Sequence, residues 1–283
     1  MKVTTIPVSV LPTRGLLYKK FEYIDIPQMK LGEILNYSAD LDDAKTEYTK
    51  LLCQIKHLVL PIHNGADILM PDFFPVAAIR SYTSISKNLK KTITINFMCP
   101  IHQKIEHAAV DLNSMQFDNV NQSILIIKSF KLNGKPWEFR VPTVKEFYDL
   151  AVDLKDVLPR YNPLKYVWLM SIFKASSDKN ERMQVLRAIL NATNDDDDIF
   201  TLEVLYESLA HTFRYVKAKC QNPHTQIDYN IYTIDPLLEV ERLIKSSKDI
   251  SMLNSFMFRT DVQTVPEPNT ENVLENQEVL PHE

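Results

Sequence analysis

The spacing of apolar residues along the chain changes repeatedly, and each change predicts a different element. The opening stretch reads as extended. Pro7 and Pro12 bracket alternating residues, Pro12-Thr13-Arg14-Gly15 predicts a turn, and Phe21, Tyr23 and Leu31 continue a strand-like pattern. From residue 32 to 60 the apolar positions recur at threes and fours, through Leu35, Leu41, Ala44, Tyr48, Leu51, Leu52 and Ile55. That spacing predicts helices, with the polar region around Asp40, Asp42 and Asp43 supplying start signals. Residues 70–82 predict another helix, because Pro71 and Asp72 suit a first turn.

The period then drops to two. Thr92-Ile93-Thr94-Ile95-Asn96-Phe97 alternates as a half-buried strand does, and a second alternating run begins at Ile105. Between them lies Cys99-Pro100-Ile101-His102, so the predicted hairpin carries a Cys and a His at its tip. Residues 124–131 and 138–141 predict a second hairpin around Asn133-Gly134, a strong two-residue turn signal. Thr143 then reads as a helix N-cap with Glu146 three residues on, a capping box. Helical spacing follows through Trp168, residues 181–190 and residues 200–210, with an acidic run from Asp195 to Asp198 before the last helix. After about Arg259 the chain is rich in Pro, Asn and Glu with little to bury, which predicts a disordered tail.

Residues 92–112 have an echo at 211–234. Each follows a predicted helix, and each runs strand, Cys/His turn, strand. The first turn reads Cys99-Pro100-Ile101-His102 and the second Cys220-Gln221-Asn222-Pro223-His224, and each leads to an apolar residue beside an Asp (Val110-Asp111, Ile234-Asp235). The expectation is an α+β fold of two diverged halves, 1–141 and 142–259, each with helices leading into a Cys/His-tipped β-hairpin, followed by the acidic tail 260–283. Thiolate and imidazole are the ligands zinc takes in tetrahedral structural sites. Cys99, His102, Cys220 and His224 are therefore the candidate metal ligands, and structural zinc the candidate cofactor. The plainer alternative makes each Cys a small hydrophobe and each His a turn residue.

Composition removes several function classes. Only 4 glycines are present, and neither the dinucleotide-binding nor the P-loop glycine pattern occurs. The net charge of −4 is uneven: residues 261–283 hold six acidic and no basic residues, leaving 32 basic against 30 acidic in the rest. Such a body has no strong field for nucleic acid or an anionic membrane. Three cysteines make no disulfide framework, so a reducing compartment is expected. No leader-like apolar region opens the sequence, and no run of about 18 apolar residues predicts a membrane span.

Leu11-Pro12-Thr13-Arg14-Gly15-Leu16-Leu17-Tyr18 resembles the opening motif of the T4-type baseplate hub assembly proteins of contractile-tailed phages. Three further islands are similar in order. They are the knuckle at Cys99-Pro100-Ile101-His102, the extended Trp137-Glu138-Phe139-Arg140-Val141-Pro142-Thr143, and a second knuckle at Cys220 and His224. The likeness covers roughly residues 8–240 in short islands, and His stands where the family has the second Cys of each knuckle. It implies a non-catalytic component of a phage tail baseplate hub that acts by contact with other hub or tail proteins. It would be found in the host cytoplasm during assembly and then in the virion tail baseplate. A homo-oligomer is compatible with that role, and Pro12, Arg14, Gly15 and Tyr18 would be the interaction or fold-defining residues. Two alternatives remain open: a chaperone of the tail tape-measure protein, and a zinc-knuckle nucleic-acid binder using Lys87, Lys90, Lys91, Arg214, Lys217 and Lys219.

Other candidates read more plainly. Cys53 and His57, at i and i+4 on a predicted helix, could be half of a metal site but suit one buried and one flanking position. His63 and His107 suggest no partner, and Cys99 with His102 lacks a third group to orient a nucleophile–base pair. The Asp195–Asp198 run lacks the spacing of a calcium loop and suits a solvated helix start. Phe73, Phe74, Tyr166, Trp168 and Phe173 fall at helical spacing and suit a core.

Overall fold

The computed structural model describes residues 3–85, 92–98, 103–111, 116–117, 119–159, 162–174, 178–192, 196–210, 214–219 and 228–231. The fold is α+β, with helices packed around one core and small antiparallel sheets at its margins. β1 (Val3–Pro7) pairs antiparallel with β2 (Tyr23–Pro27), in register Val3 with Pro27 and Pro7 with Tyr23. Ile24 and Ile26 are buried beneath β2, while Tyr23 and Asp25 alternate outward, as period two requires. Leu31 does not continue this strand. It opens α1 (Leu31–Asp43), because Glu33 accepts a hydrogen bond from the Lys30 N–H at 2.7 Å and caps the first turn. Ile34, Tyr37 and Leu41 form the buried stripe of α1.

Thr46 caps α2 (Glu47–Gln54), accepting from the Thr49 N–H at 3.1 Å. The helix then widens into a π-helical turn over Ile55–Val59, closed by the Leu60 N–H on the Ile55 carbonyl at 3.1 Å. Pro61 explains part of the departure. It has no N–H to give to the His57 carbonyl, four residues back. A 3₁₀ turn at Met70–Asp72 leads into α3 (Phe73–Ile85), and this places the helix start three residues later than its spacing suggested.

The tight turn between these helices turns on Gly65. A Cβ there would meet the Val59 carbonyl oxygen at 2.0 Å, so backbone would have to move. Gly65→Ala is expected to cost about 3 kcal/mol, at the upper end for overpacking. Gly32→Ala is the control: nothing lies within 4 Å of that Cβ. On an exposed first turn it should be neutral or stabilising by about 0.5 kcal/mol. Chemical unfolding of both variants checks the pair.

β3 (Thr92–Met98) and β4 (Ile105–Asp111) form the hairpin expected after α3, in register Thr92 with Asp111 and Met98 with Ile105. β5 (Gln116–Phe117) pairs with β8 (Arg214–Lys219), which pairs in turn with β9 (Asp228–Ile231). A hairpin thus also follows α8 (Asp196–Ala210), and β4 lies against β8, so the two hairpins stand side by side. Of the turns between their strands only Gln103 and Lys104 are described. Cys99, His102, Cys220 and His224 lie outside the described residues, as does the tail 260–283.

The stretch 124–131 is not one strand. Asn121 caps a short helix, α4 (Gln122–Leu125), by accepting from the Ser123 N–H at 3.0 Å. Only then do β6 (Ser129–Leu132) and β7 (Lys135–Glu138) pair. Their turn is Asn133-Gly134, with φ of 52° and 69°, the left-handed pair that a two-residue hairpin turn needs. α5 (Val144–Leu154) begins at the predicted capping box. The Glu146 N–H donates to Thr143 Oγ1 at 3.2 Å, and the Thr143 N–H donates to Glu146 Oε2 at 3.0 Å.

α6 (Pro163–Ser171) packs on α5 and is flanked by α7 (Lys179–Ala192) and α8. The predicted aromatic positions are core: Phe73, Trp168 and Phe173 are buried, and Phe147 meets Trp168 with ring centroids 5.2 Å apart. Buried residues from Val8 to Leu209 form one continuous cluster. No helix among the described residues is long and apolar enough to cross a membrane.

Candidate functional site

The Leu11–Tyr18 string does not hang free; it wraps a buried carboxylate. Pro12 and Thr13 are buried, while Arg14 and Leu16 face outward. Arg14 and Gly15 both take left-handed backbone, φ 53° and 72°, so the chain reverses there. A Cβ on Gly15 would also sit 2.8 Å from Val8 Cγ2, which makes Gly15 a true requirement of the turn. The reversal aims two side chains at Asp72, which is fully buried. The Thr13 N–H donates to Asp72 Oδ1 at 2.9 Å, and the Thr13 hydroxyl reaches Oδ2 at 2.5 Å. The Tyr18 hydroxyl donates to Oδ2 at 2.9 Å and accepts from the Leu69 N–H at 3.0 Å.

The same node gathers another motif island. Leu69 bridges Thr143, the Met70 N–H donates to the Pro142 carbonyl at 2.8 Å, and the Val144 N–H to the Ile68 carbonyl at 2.7 Å. The Val120 N–H also reaches the Pro12 carbonyl at 2.9 Å. Segments more than 100 residues apart in sequence thus close on one carboxylate and its neighbouring loop. Burial pushes the Asp72 carboxyl up to about 6, against the opposing pull of its Thr13 and Tyr18 donors. Burial, then the Asp72 charge, holds the Tyr18 phenol well above its ordinary value, so it stays a donor.

A second polar centre lies at the π turn. Arg80 is 2% exposed, and its Nη1 donates to the His57 carbonyl at 2.9 Å and the Leu58 carbonyl at 3.3 Å. These are the carbonyls that the widened turn and Pro61 leave without helical donors, since the Ile62 N–H goes to Val59 at 3.0 Å. Glu33 lies 3.5 Å from Arg80 Nη2. Burial nevertheless lowers the guanidinium's basicity, opposed by the Glu33 charge.

Beside it, Asp40 Oδ2 sits 2.7 Å from both His57 Nε2 and Lys56 Nζ. Hydrogen bonds from Lys56 and then His57 hold the Asp40 carboxyl below its ordinary range. These groups border an open depression of about 280 Å³ whose lining includes Asp40, Asp43, Leu52, Cys53, Lys56 and Tyr148. Cys53 and His57 do not converge as a metal pair: Cys53 is buried against the Tyr37 carbonyl, while His57 turns to Asp40. Among the described residues no group of three or more His, Cys, Asp or Glu could hold a metal ion. The acidic run starts α8 itself, with Asp198 accepting from the Asn133 N–H at 2.5 Å.

No family model, curated protein or solved structure matches the chain.

Neither Asp72 nor Arg80 was singled out by sequence reasoning as a site residue. Asp72 reads as an ordinary first-turn acid, because its partners lie 54 and 59 residues away. Arg80 does carry a signal, a lone charge in the apolar face Val76-Ala77-Ala78, with Pro61 marking the carbonyl it would serve.

Proposed function

We propose that this chain is a non-catalytic assembly or structural component of a phage tail baseplate hub, working by protein–protein contact. The observation that carries the reading is the division of labour within the motif. Thr13, Gly15 and Tyr18 are committed inward to the Asp72 node, while Arg14, Val10 and Leu16 stand on the outside, Val10 at 63% and Leu16 at 53% exposure. Exposed apolar residues beside a charge, on a rigidly held turn, suit an interface better than a lone surface position does. Pro12, Gly15 and Tyr18 are then fold-defining residues, and Arg14 with Leu16 the contacts.

The test is co-expression with the tail proteins of the same phage and affinity capture. Leu16→Glu combined with Arg14→Glu should abolish capture while leaving the unfolding midpoint unchanged. Capture that survives the double substitution would remove this surface from the interaction.

The finer architecture belongs to the same proposal: two diverged halves whose hairpins bring Cys99, His102, Cys220 and His224 to one structural zinc. The side-by-side placement of β4 and β8 supports it. Protein purified without chelator is expected to hold about one zinc per chain, lost in Cys99→Ser and in Cys220→Ser alike. Metal-free wild-type protein would end the zinc proposal while leaving the interface proposal standing.

A further inference from the structure

Asparagine followed by glycine is the dipeptide most prone to lose its side-chain amide, and the chain has two such pairs, Asn64-Gly65 and Asn133-Gly134. A glycine has no Cβ to keep its backbone nitrogen from closing on the preceding side chain. The structure treats the two pairs oppositely. Gly65 is buried, its N–H donates to the Ile62 carbonyl at 2.8 Å, and a Cβ on it would meet the Val59 carbonyl oxygen at 2.0 Å. That nitrogen is already committed and closely walled in. Asn133 and Gly134 are both exposed at the tip of the β6–β7 hairpin. The Gly134 N–H has no acceptor among the described residues, and nothing lies within 4 Å of where its Cβ would be.

We propose that Asn133 is a site of spontaneous deamidation, and that its conversion unlatches the β6–β7 hairpin from α7 and α8. The Gly134 nitrogen attacks Asn133 Cγ and a carbon–nitrogen bond forms. The side-chain nitrogen leaves as ammonia, carrying the proton of the Gly134 amide. Water then opens the cyclic imide, at one carbonyl to aspartate and at the other to isoaspartate.

The amide that is lost is the one that fastens this hairpin. Asn133 Nδ2 donates to the Ala188 carbonyl of α7 at 2.9 Å, and the Asn133 N–H donates to Asp198 Oδ2 of α8 at 2.5 Å. Either product puts a carboxylate where the amide was. It has no proton for Ala188, and it adds a negative charge beside Asp198. Isoaspartate also adds a backbone atom to a two-residue turn that holds φ of 52° and 69°. The Ala188 bond fixes the side chain on α7, so the attack waits on its release and runs more slowly in the folded chain than in the unfolded one.

The test incubates the full chain at mildly alkaline pH, folded and in urea, and follows both pairs by peptide mass spectrometry with isoaspartate resolved chromatographically. In urea both asparagines are expected to convert at similar rates, because each precedes a glycine. In the folded chain Asn133 converts, more slowly than in urea, while Asn64 stays intact over the same period. Conversion of Asn64 as fast as Asn133, or an Asn133 that stays intact, would overturn the site. Hydrogen exchange of Asn133→Asp reads the consequence: amides of β6 and β7 exchange faster than in wild type, and those of α5 do not change. Unchanged exchange in the hairpin would overturn the unlatching.

Discussion

Asp72→Ala is expected to destabilise the protein by about 3 kcal/mol at pH 4, and by far less at pH 8. The size follows from what the substitution strands. The Thr13 N–H, the Thr13 hydroxyl and the Tyr18 hydroxyl all end on this buried carboxylate. Each buried polar group left without a partner costs about 1–3 kcal/mol, relieved in part where water enters. The pH dependence follows from the direction of the shift. The folded Asp72 carboxyl sits near 6, above its ordinary 3.8. A raised acid binds its proton more tightly in the folded chain, so its contribution is complete below about pH 4 and is lost as pH rises through 6. The shift amounts to roughly 3 kcal/mol across that window, by the usual conversion of pKa into free energy. Asp72→Asn, which keeps the shape and removes the titration, should flatten this part of the profile. Urea unfolding of the three proteins from pH 4 to 8 reads the result, and parallel profiles for wild type and Asn variant would contradict it.

Arg80→Met should cost a similar amount, about 3 kcal/mol, for a different reason. Methionine fills much the same volume, so the loss is not a cavity. It is the His57 and Leu58 carbonyls, which have Arg80 as donor where the π turn leaves them unserved by the helix. Pro61→Ala offers a way to separate this cause from general disruption. It supplies an N–H that can reach the His57 carbonyl, so it should recover part of the loss in the Arg80→Met background. In the wild-type background it should do little, because Arg80 already serves that carbonyl. Equal effects of Pro61→Ala in both backgrounds would refute the pairing of Pro61 with Arg80.

Local chemistry was the legible part of this sequence. The Thr143–Glu146 capping box and the Asn133-Gly134 turn are set by neighbours within four residues, and the structure has both. The hairpins after α3 and α8 likewise follow from period-two alternation. Residues 124–131 misled because Ile124-Leu125-Ile126-Ile127 fits strand or helix equally, and the deciding signal is the polar cap at Asn121. Leu31 misled for the same reason, with Glu33 as the cap. The node at Asp72 was out of reach in another way. Its role depends on Thr13 and Tyr18 arriving from another element, and no periodicity encodes that meeting. The motif flagged the donors, Thr13 and Tyr18, without their acceptor. Gly15 was legible in kind, a turn residue with positive φ, although the close approach to Val8 was not.

Both polar centres join distant segments: Asp72 holds Thr13 and Tyr18 of the N-terminal motif, and Arg80 holds the π turn and lies beside Glu33 of α1. For the proposed interface on Arg14 and Leu16, a turn tied to Asp72 through Thr13 and Tyr18 would lose little entropy on binding. The direct test of the proposed role is complementation of assembly. Cells infected with a phage lacking this gene should yield heads but no baseplates or tails, and purified protein added to the extract should restore tails, whereas Leu16→Glu with Arg14→Glu should not. Normal tails formed in the absence of the protein would contradict the account.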